Sequence, residues 1–122
     1  MATVDEMSHT LGVTFTSAKS GTPDGPNGCW YEGRDADGSD IAVQVNVFDL
    51  AQFDSVKSSQ CTGGALPPVQ RPGLGVAAVE CTPDLFVQVD AERGIKIYSD
   101  TGGEDGRVKI AELVLPRIRG MS

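Results

Sequence analysis

Residues 29–48 read CWYEGRDADGSDIAVQVNVF. Apolar and polar residues alternate in both halves of this segment, as they do in strands that bury one face. The pair Asp37-Gly38 lies between the two halves and is typical of a tight hairpin turn. The segment therefore predicts two antiparallel strands, near residues 29–34 and 41–48, joined by a short turn.

The acidic residues of this turn are also a candidate calcium loop, because carboxylates at alternate positions can converge on a hard cation. Asp35, Asp37 and Asp40 supply such carboxylates. An EF-hand loop needs a further oxygen ligand before its glycine and a distal glutamate, whereas here Gly38 comes too early and Ile41 begins a strand. The spacing favours a hairpin turn over a metal site.

Periodic runs outside the hairpin predict the remaining elements. Thr3-Val4-Asp5-Glu6 has the form of a capping box and opens a predicted helix over residues 3–11. Alternating or apolar runs predict four more strands, near residues 13–18, 75–80, 85–90 and 94–99. Helical spacing of apolar residues predicts two more helices, near residues 50–59 and 105–118. Together they predict a single α+β domain, residues 1–122, with one antiparallel sheet of about five to six strands covered on one face by the N-terminal, middle and C-terminal helices.

Two segments are expected to lack regular structure. Residues 20–28 are polar and rich in turn-forming residues, so a mobile loop is expected there. Residues 61–75 contain three prolines, which remove backbone donors, and the longest loop is expected there. Pro116 is expected to kink the last helix or end it early, at a lower cost if its ring faces solvent.

Composition limits the classes of function. The chain has 122 residues and a net charge of −7, and this charge repels nucleic-acid phosphates and anionic lipid headgroups. No apolar run approaches the roughly 20 residues of a membrane-spanning helix. The first residues have no basic-then-apolar leader, so the chain is expected to be either cytosolic or a mature fragment with a replaced start. Neither a nucleic-acid partner nor membrane insertion by this segment is expected.

Motifs that indicate catalysis are weak. The run GLGVAA at residues 73–78 matches the G-x-G-x-x-A of dinucleotide-binding folds, but a proline-rich loop precedes it and a predicted strand follows it. His9 is the single histidine, and a surface pair with Asp5 is its expected arrangement. No nucleophile elbow accompanies it. An enzyme is therefore the less favoured class, and no cofactor or metal ion is expected.

The three cysteines lack the C-x-x-C spacing of zinc and thioredoxin-like sites. Cys61 and Cys81 bracket the proline-rich loop. A disulfide between them would close about twenty residues and stabilise the fold by roughly 3 kcal/mol, mainly by restricting the unfolded chain. Three reduced cysteines in a cytosolic domain are the alternative.

Three aromatic residues are candidates for contact with a ligand or a partner. Trp30 and Tyr31 are neighbours in a predicted strand and therefore point to opposite faces of the sheet. One of these rings is expected in the core and the other at the surface. Tyr98, in the last predicted strand, is the third candidate. A structural role remains the more common one for a lone exposed ring.

Several of these segments together resemble a known family. They are TVDEM at residues 3–7 followed by Leu11-Gly12, CWY at 29–31, PGLGVAA at 72–78, a valine-rich hairpin and a final apolar helix. The pattern resembles the small extracytoplasmic lipoprotein domains of unknown function from actinobacteria, which are sheet-and-helix domains of the broad PsbP-like type. The resemblance implies a leader and a lipid-carrying cysteine upstream of the domain.

The resemblance also implies roles for the cysteines. In that family a further cysteine often precedes the first helix, where it could pair with the cysteine of the Cys-Trp segment. No such cysteine is present here, so Cys29 is expected to be an unpaired thiol, and Cys61 with Cys81 the intact disulfide.

The function that follows is a non-catalytic, envelope-facing module that binds a small molecule or a protein partner. An extracytoplasmic or cell-envelope location is expected if the chain is a trimmed piece of a longer protein, and a cytoplasmic location is the alternative. The alternative function is a small cytosolic enzyme, or an accessory protein of a biosynthetic pathway, with a pocket between sheet and helices.

Overall fold

Three helices and seven strands make up the computed structural model, which describes residues 2–22, 25–63 and 67–119. The helices are α1 (Val4–Leu11), α2 (Leu50–Gly63) and α3 (Gly103–Arg119). The strands are β1 (Thr14–Thr22), β2 (Gly25–Arg34), β3 (Asp40–Asp49), β4 (Val69–Gln70), β5 (Ala77–Cys81), β6 (Asp84–Gln88) and β7 (Arg93–Ser99). All strands form one antiparallel sheet in the order β1-β2-β3-β7-β6-β5-β4. The predicted α+β class is confirmed, with seven strands where about five to six were expected.

The hairpin at residues 29–48 forms as predicted. The Asp35 carboxylate accepts hydrogen bonds from the backbone amides of Asp37 and Ser39, both at 2.9 Å. Gly38 has a φ of 82°, a left-handed conformation that glycine adopts without a steric penalty. The acidic segment is therefore the turn that closes the hairpin. The Asp35 carboxylate is engaged in hydrogen bonds within this turn.

Strands β1 and β2 extend into the segment that was expected to be a loop. β1 continues to Thr22 and β2 begins at Gly25, so the expectation of a loop over 20–28 is wrong for most of that range, while residues 23 and 24 lie outside the described residues. β1 is an edge strand, and its exposed polar residues do not show the apolar alternation that marks a half-buried strand.

The loop expected over residues 61–75 is also shorter than predicted. α2 continues to Gly63 instead of ending near residue 59, and β4 pairs with β5. The flanking prolines permit this pairing because β4 is an edge strand, where missing backbone donors can face solvent. Residues 64–66, also in the expected loop, lie outside the described residues.

One face of the sheet carries the main core. α1 and α3 pack on this face, and burial alternates along β3 from Ile41 to Val45 as the sequence predicts, whereas Asn46 on the other face is also buried. Interior positions filled by branched and aromatic side chains give the tight packing that stabilises such a core. Its largest fully buried side chains are Met7, Tyr31, Leu85, Ile95, Ile97, Ile110 and Ile118.

α2 lies on the opposite face, which corrects the expectation that all three helices cover one face. Phe53 of α2 packs edge-to-face on Phe86 of β6, with ring centroids 6.1 Å apart. These rings join Phe48 and Cys81 in a second, smaller apolar cluster. Gly94 of β7 lies beneath Phe53, since a Cβ at Gly94 would come within 2.2 Å of the ring. Helical periodicity identifies the apolar side of α2 but does not say which face of the sheet it covers.

Ion pairs attach α3 to β5 and to α1. Arg107 of α3 and Glu80 of β5 are almost fully buried and lie 3.0 Å apart. Arg117 pairs with Glu6 of α1, and this hydrogen-bonded guanidinium lowers the pKa of Glu6 to about 2 from its ordinary 4.5. Glu6 also completes the predicted capping box with Thr3. α3 is thus tied to the sheet and to the start of the chain.

α3 runs to Arg119 with Pro116 inside it, so the helix does not end early at this proline. Pro116 is exposed, which is the condition under which a low cost was expected. The buried residues of the same turns lie on the other side of the helix, so the missing backbone donor does not disturb the core.

Candidate functional site

The described sheet leaves a row of side chains partly exposed on the face that carries α2. Residues directly opposite one another on antiparallel strands project from the same face. Lys19 lies opposite Trp30, Trp30 opposite Gln44, and Gln44 opposite Tyr98. The neighbours of Gln44 along β3 are Val43 and Val45, both buried in the main core, so this row faces away from that core.

We define the open face as Lys19, Trp30, Glu32, Gln44 and Tyr98. Lys19 is exposed and the other four are half-buried. The row crosses the strands β1, β2, β3 and β7, which are consecutive in the sheet. Adjacent strands lie about 4.8 Å apart, so the backbones at Trp30 and Tyr98 are separated by roughly 10 Å, with Gln44 between them.

Trp30 contributes the largest ring of the open face. Its indole nitrogen is shielded from solvent and has no hydrogen-bond partner within the described residues, so the ring rests with its polar edge against the protein. Buried indole N–H groups usually find an acceptor.

The charges beside the open face are balanced. Lys19 lies 3.2 Å from Glu32, and Arg34 lies 3.6 Å from Asp40. The register places Arg34 and Asp40 on the same face as Glu32. The chain as a whole carries −7, whereas the open face combines one Lys–Glu pair with the neutral side chains of Trp30, Gln44 and Tyr98.

Tyr31 does not belong to any surface site, which corrects its candidacy for ligand contact. It is fully buried, packs edge-to-face with Phe15, and donates a hydrogen bond of 2.5 Å to the carbonyl of Ala2. Burial raises the pKa of its hydroxyl, and the neighbouring Cys29 thiol adds to this effect. Of the two rings expected to divide between surface and core, Tyr31 lies in the core, whereas Trp30 on the opposite face is half-buried.

The cysteines are arranged as the sequence suggested. Cys61 and Cys81 form a disulfide, which confirms the predicted bridge. It joins the end of α2 to the end of β5 and so holds the helix over its face of the sheet. Cys29 carries a free, half-buried thiol on the core side of β2.

A groove of about 490 Å³ lies between α3 and residues 70–74. Arg71 forms one wall and pairs with Glu104, while Asp105 and Glu112 lie on the other wall. Its volume falls within the range of small-molecule sites. The described residues that line it include no serine, threonine, cysteine or histidine, and its ionisable side chains are Arg71, Asp105 and Glu112.

The remaining sequence motifs are His9 with Asp5 and the GLGVAA run at residues 73–78. His9 and Asp5 are both exposed on α1. The GLGVAA run leads into β5 instead of a helix. Over residues 2–22, 25–63 and 67–119, no three His, Cys, Asp or Glu side chains are grouped to hold a metal ion, and no helix is long and apolar enough to cross a membrane.

Sequence reasoning identified Trp30 and Tyr98 but missed Lys19, Glu32 and Gln44. The signal for Gln44 is present, because it is a polar residue in the alternating run of β3. Alternation within one strand cannot show that β7 pairs with β3. It is this pairing that brings Tyr98 beside Gln44.

Comparisons with known proteins identify no matching protein-family model, no matching curated protein and no matching solved structure.

Proposed function

We propose that this chain is a non-catalytic binding module of the cell envelope, which holds a small molecule or a protein partner on the open face. The observation that carries the proposal is the row in which Trp30 and Tyr98, both half-buried, flank the Gln44 amide. Aromatic rings with a polar edge supply much of the energy of binding surfaces. A central amide can give direction to such contacts, because it both donates and accepts hydrogen bonds.

The two carboxylates with a clearly lowered pKa, Glu6 and Asp90, support a role without catalysis. Glu6 is held by Arg117, and the pKa of Asp90 is lowered by hydrogen bonds from the Glu92 amide and from Arg93. Shifted pKa values mark catalytic groups when those groups lie in a cleft. These two carboxylates instead close a helix cap and a turn, and neither lines the groove beside α3.

The location that we propose is extracytoplasmic. The Cys61–Cys81 disulfide supports it, because disulfides persist in oxidising compartments and are rare in the cytosol. The resemblance to actinobacterial lipoprotein domains agrees with this location and adds the proposal of a lipid anchor upstream of the domain.

The groove beside α3 favours a second candidate, a small cytosolic enzyme or accessory protein that binds a metabolite there. Its volume suits a small molecule. The pairing of Arg71 with Glu104 leaves no isolated cation on that wall, and the described lining holds no serine, threonine, cysteine or histidine, so this candidate is the weaker one.

Nuclear magnetic resonance can distinguish the two surfaces. The ¹⁵N-labelled protein is titrated with solubilised cell-envelope material from its native host, and backbone amide signals are followed. We expect shifts or broadening along Trp30, Gln44 and Tyr98, and no response in a Trp30→Ala/Tyr98→Ala variant. Val76→Ala is the matched control, since Val76 is 63% exposed and lies outside the open face. Responses confined to residues 70–74 and α3, or no response at all, would contradict the proposed function.

A further inference from the structure

We infer that the ligand of the open face is a neutral glycan, with sugar rings stacked on Trp30 and Tyr98 and a hydroxyl group bound by Gln44. This inference rests on the proposed function and names the class of ligand for the same surface. It would make the chain a carbohydrate-binding module of the envelope.

The chemistry of the row matches that of a sugar chain. A pyranose ring has C–H groups on its faces and hydroxyl groups around its rim. The C–H groups carry slight positive charge and interact favourably with the negative face of an aromatic ring. The hydroxyl groups need partners that both donate and accept, which the side-chain amide of Gln44 provides.

The spacing of the row also suits an oligosaccharide. Trp30 and Tyr98 project from strands that are two apart in the sheet, with Gln44 on the strand between them. The resulting separation of roughly 10 Å lets two rings of one short oligosaccharide stack while a sugar hydroxyl meets the amide. A contiguous apolar centre, which a stable protein interface needs, is interrupted here by that amide.

The charges argue against an ionic ligand. Lys19 lies beside Glu32 and Arg34 beside Asp40, so each of these cations has a carboxylate next to it, which weakens the attraction of a phosphate, an anionic lipid or a basic peptide. The next charged residues of this face are Asp84, which lies opposite Tyr98 on β6, and Lys96 of β7, and both are buried. In a chain of net charge −7, this balance leaves a neutral, polar and aromatic ligand as the best complement.

The single tryptophan of the chain provides a direct assay, because Trp30 is itself part of the surface. The intact protein is titrated with neutral tetrasaccharides of glucose, mannose, galactose and xylose, and tryptophan emission and acrylamide quenching are measured. We expect at least one tetrasaccharide to change the emission saturably and to protect Trp30 from the quencher. Tyr98→Ala and Gln44→Ala should each weaken that binding roughly tenfold or more, whereas Val76→Ala should leave it unchanged.

Each outcome separates the inference from the proposed function. If no tetrasaccharide alters Trp30 emission but a charged ligand, a peptide or native envelope material does, the glycan inference is overturned and the open face remains a binding surface. If none of these perturbs Trp30, both fail. Binding that Tyr98→Ala and Gln44→Ala leave intact would also overturn the inference, since the row would then not be the site. Circular dichroism of each variant shows that it has folded.

Discussion

The position of α2 can be tested by filling the space beneath it. Gly94→Ala adds one methyl group at the point where the Phe53 ring meets β7. The added Cβ would lie 2.2 Å from two ring carbons, and Phe53 is only 1% exposed, so the ring cannot simply move into solvent. The backbone of Gly94 does not have a positive φ, and alanine is therefore conformationally acceptable there.

The expected magnitude follows from two opposing effects. Overpacking a filled site costs about 1–3 kcal/mol. Replacing glycine by alanine at a compatible backbone position stabilises by about 0.4–1 kcal/mol through the unfolded chain. Gly94→Ala should therefore destabilise the protein by about 1–2 kcal/mol, whereas Phe53→Ala, which removes a buried ring, should cost about 3–5 kcal/mol.

A double-mutant cycle isolates the contact. In the Phe53→Ala background the obstructing ring is absent, so Gly94→Ala should become neutral or slightly stabilising, with a coupling of about 2 kcal/mol between the two sites. The four proteins are compared by urea unfolding under non-reducing conditions, which keep the disulfide intact. If the two substitutions proved additive within about 0.5 kcal/mol, α2 would not lie over Gly94, and its placement on the second face of the sheet would be wrong.

Three further measurements test other parts of the structure. Arg107→Ala should destabilise the fold by about 3–5 kcal/mol because it leaves Glu80 buried and unpaired. The double variant Glu80→Leu/Arg107→Met should recover most of this loss in urea unfolding. Equal losses of stability in the two variants would argue against a buried pair. Glu6 has a folded-state pKa of about 2 against 4.5 ordinarily, so its stabilising effect is complete above pH 4.5 and is lost as the pH falls towards 2. The urea-midpoint difference between the wild type and Glu6→Gln should therefore be constant above pH 4.5 and vanish near pH 2, whereas a difference that is unchanged at low pH would rule out this ion pair. Thiol titration of unfolded, unreduced protein from its native compartment should give one thiol per chain, and three would contradict both the disulfide and the envelope location.

The parts of the fold that sequence predicted are those controlled by neighbouring residues. The turn at Asp37-Gly38 and the capping box of Thr3 and Glu6 depend on side chains a few positions apart, so their signals are visible in the chain itself. The contact of α2 with its face of the sheet has no such local signal, because Gly94, which leaves room for the Phe53 ring, lies far from Phe53 in sequence.

The open face could be predicted only in part for a similar reason. Trp30 and Tyr98 stand out because aromatic residues are few in this chain, but their relation depends on the order of strands. The pairing of β3 with β7 brings together residues more than fifty positions apart, and strand order follows from the packing of the whole sheet. Without that order the aromatic residues remain separate candidates, and Gln44 is an ordinary polar residue of a strand.

The proposed role of the open face is tested most directly by cross-linking in intact cells of the native host. A photoreactive amino acid is placed at Gln44 in one variant and at the exposed Val76 in another, and adducts are detected as mass shifts of the purified chain. We predict a reproducible adduct at position 44 that is lost when Trp30→Ala is added, and none at position 76. An adduct at position 76 but not at 44, or none at either position, would contradict the proposal that this chain binds through the open face.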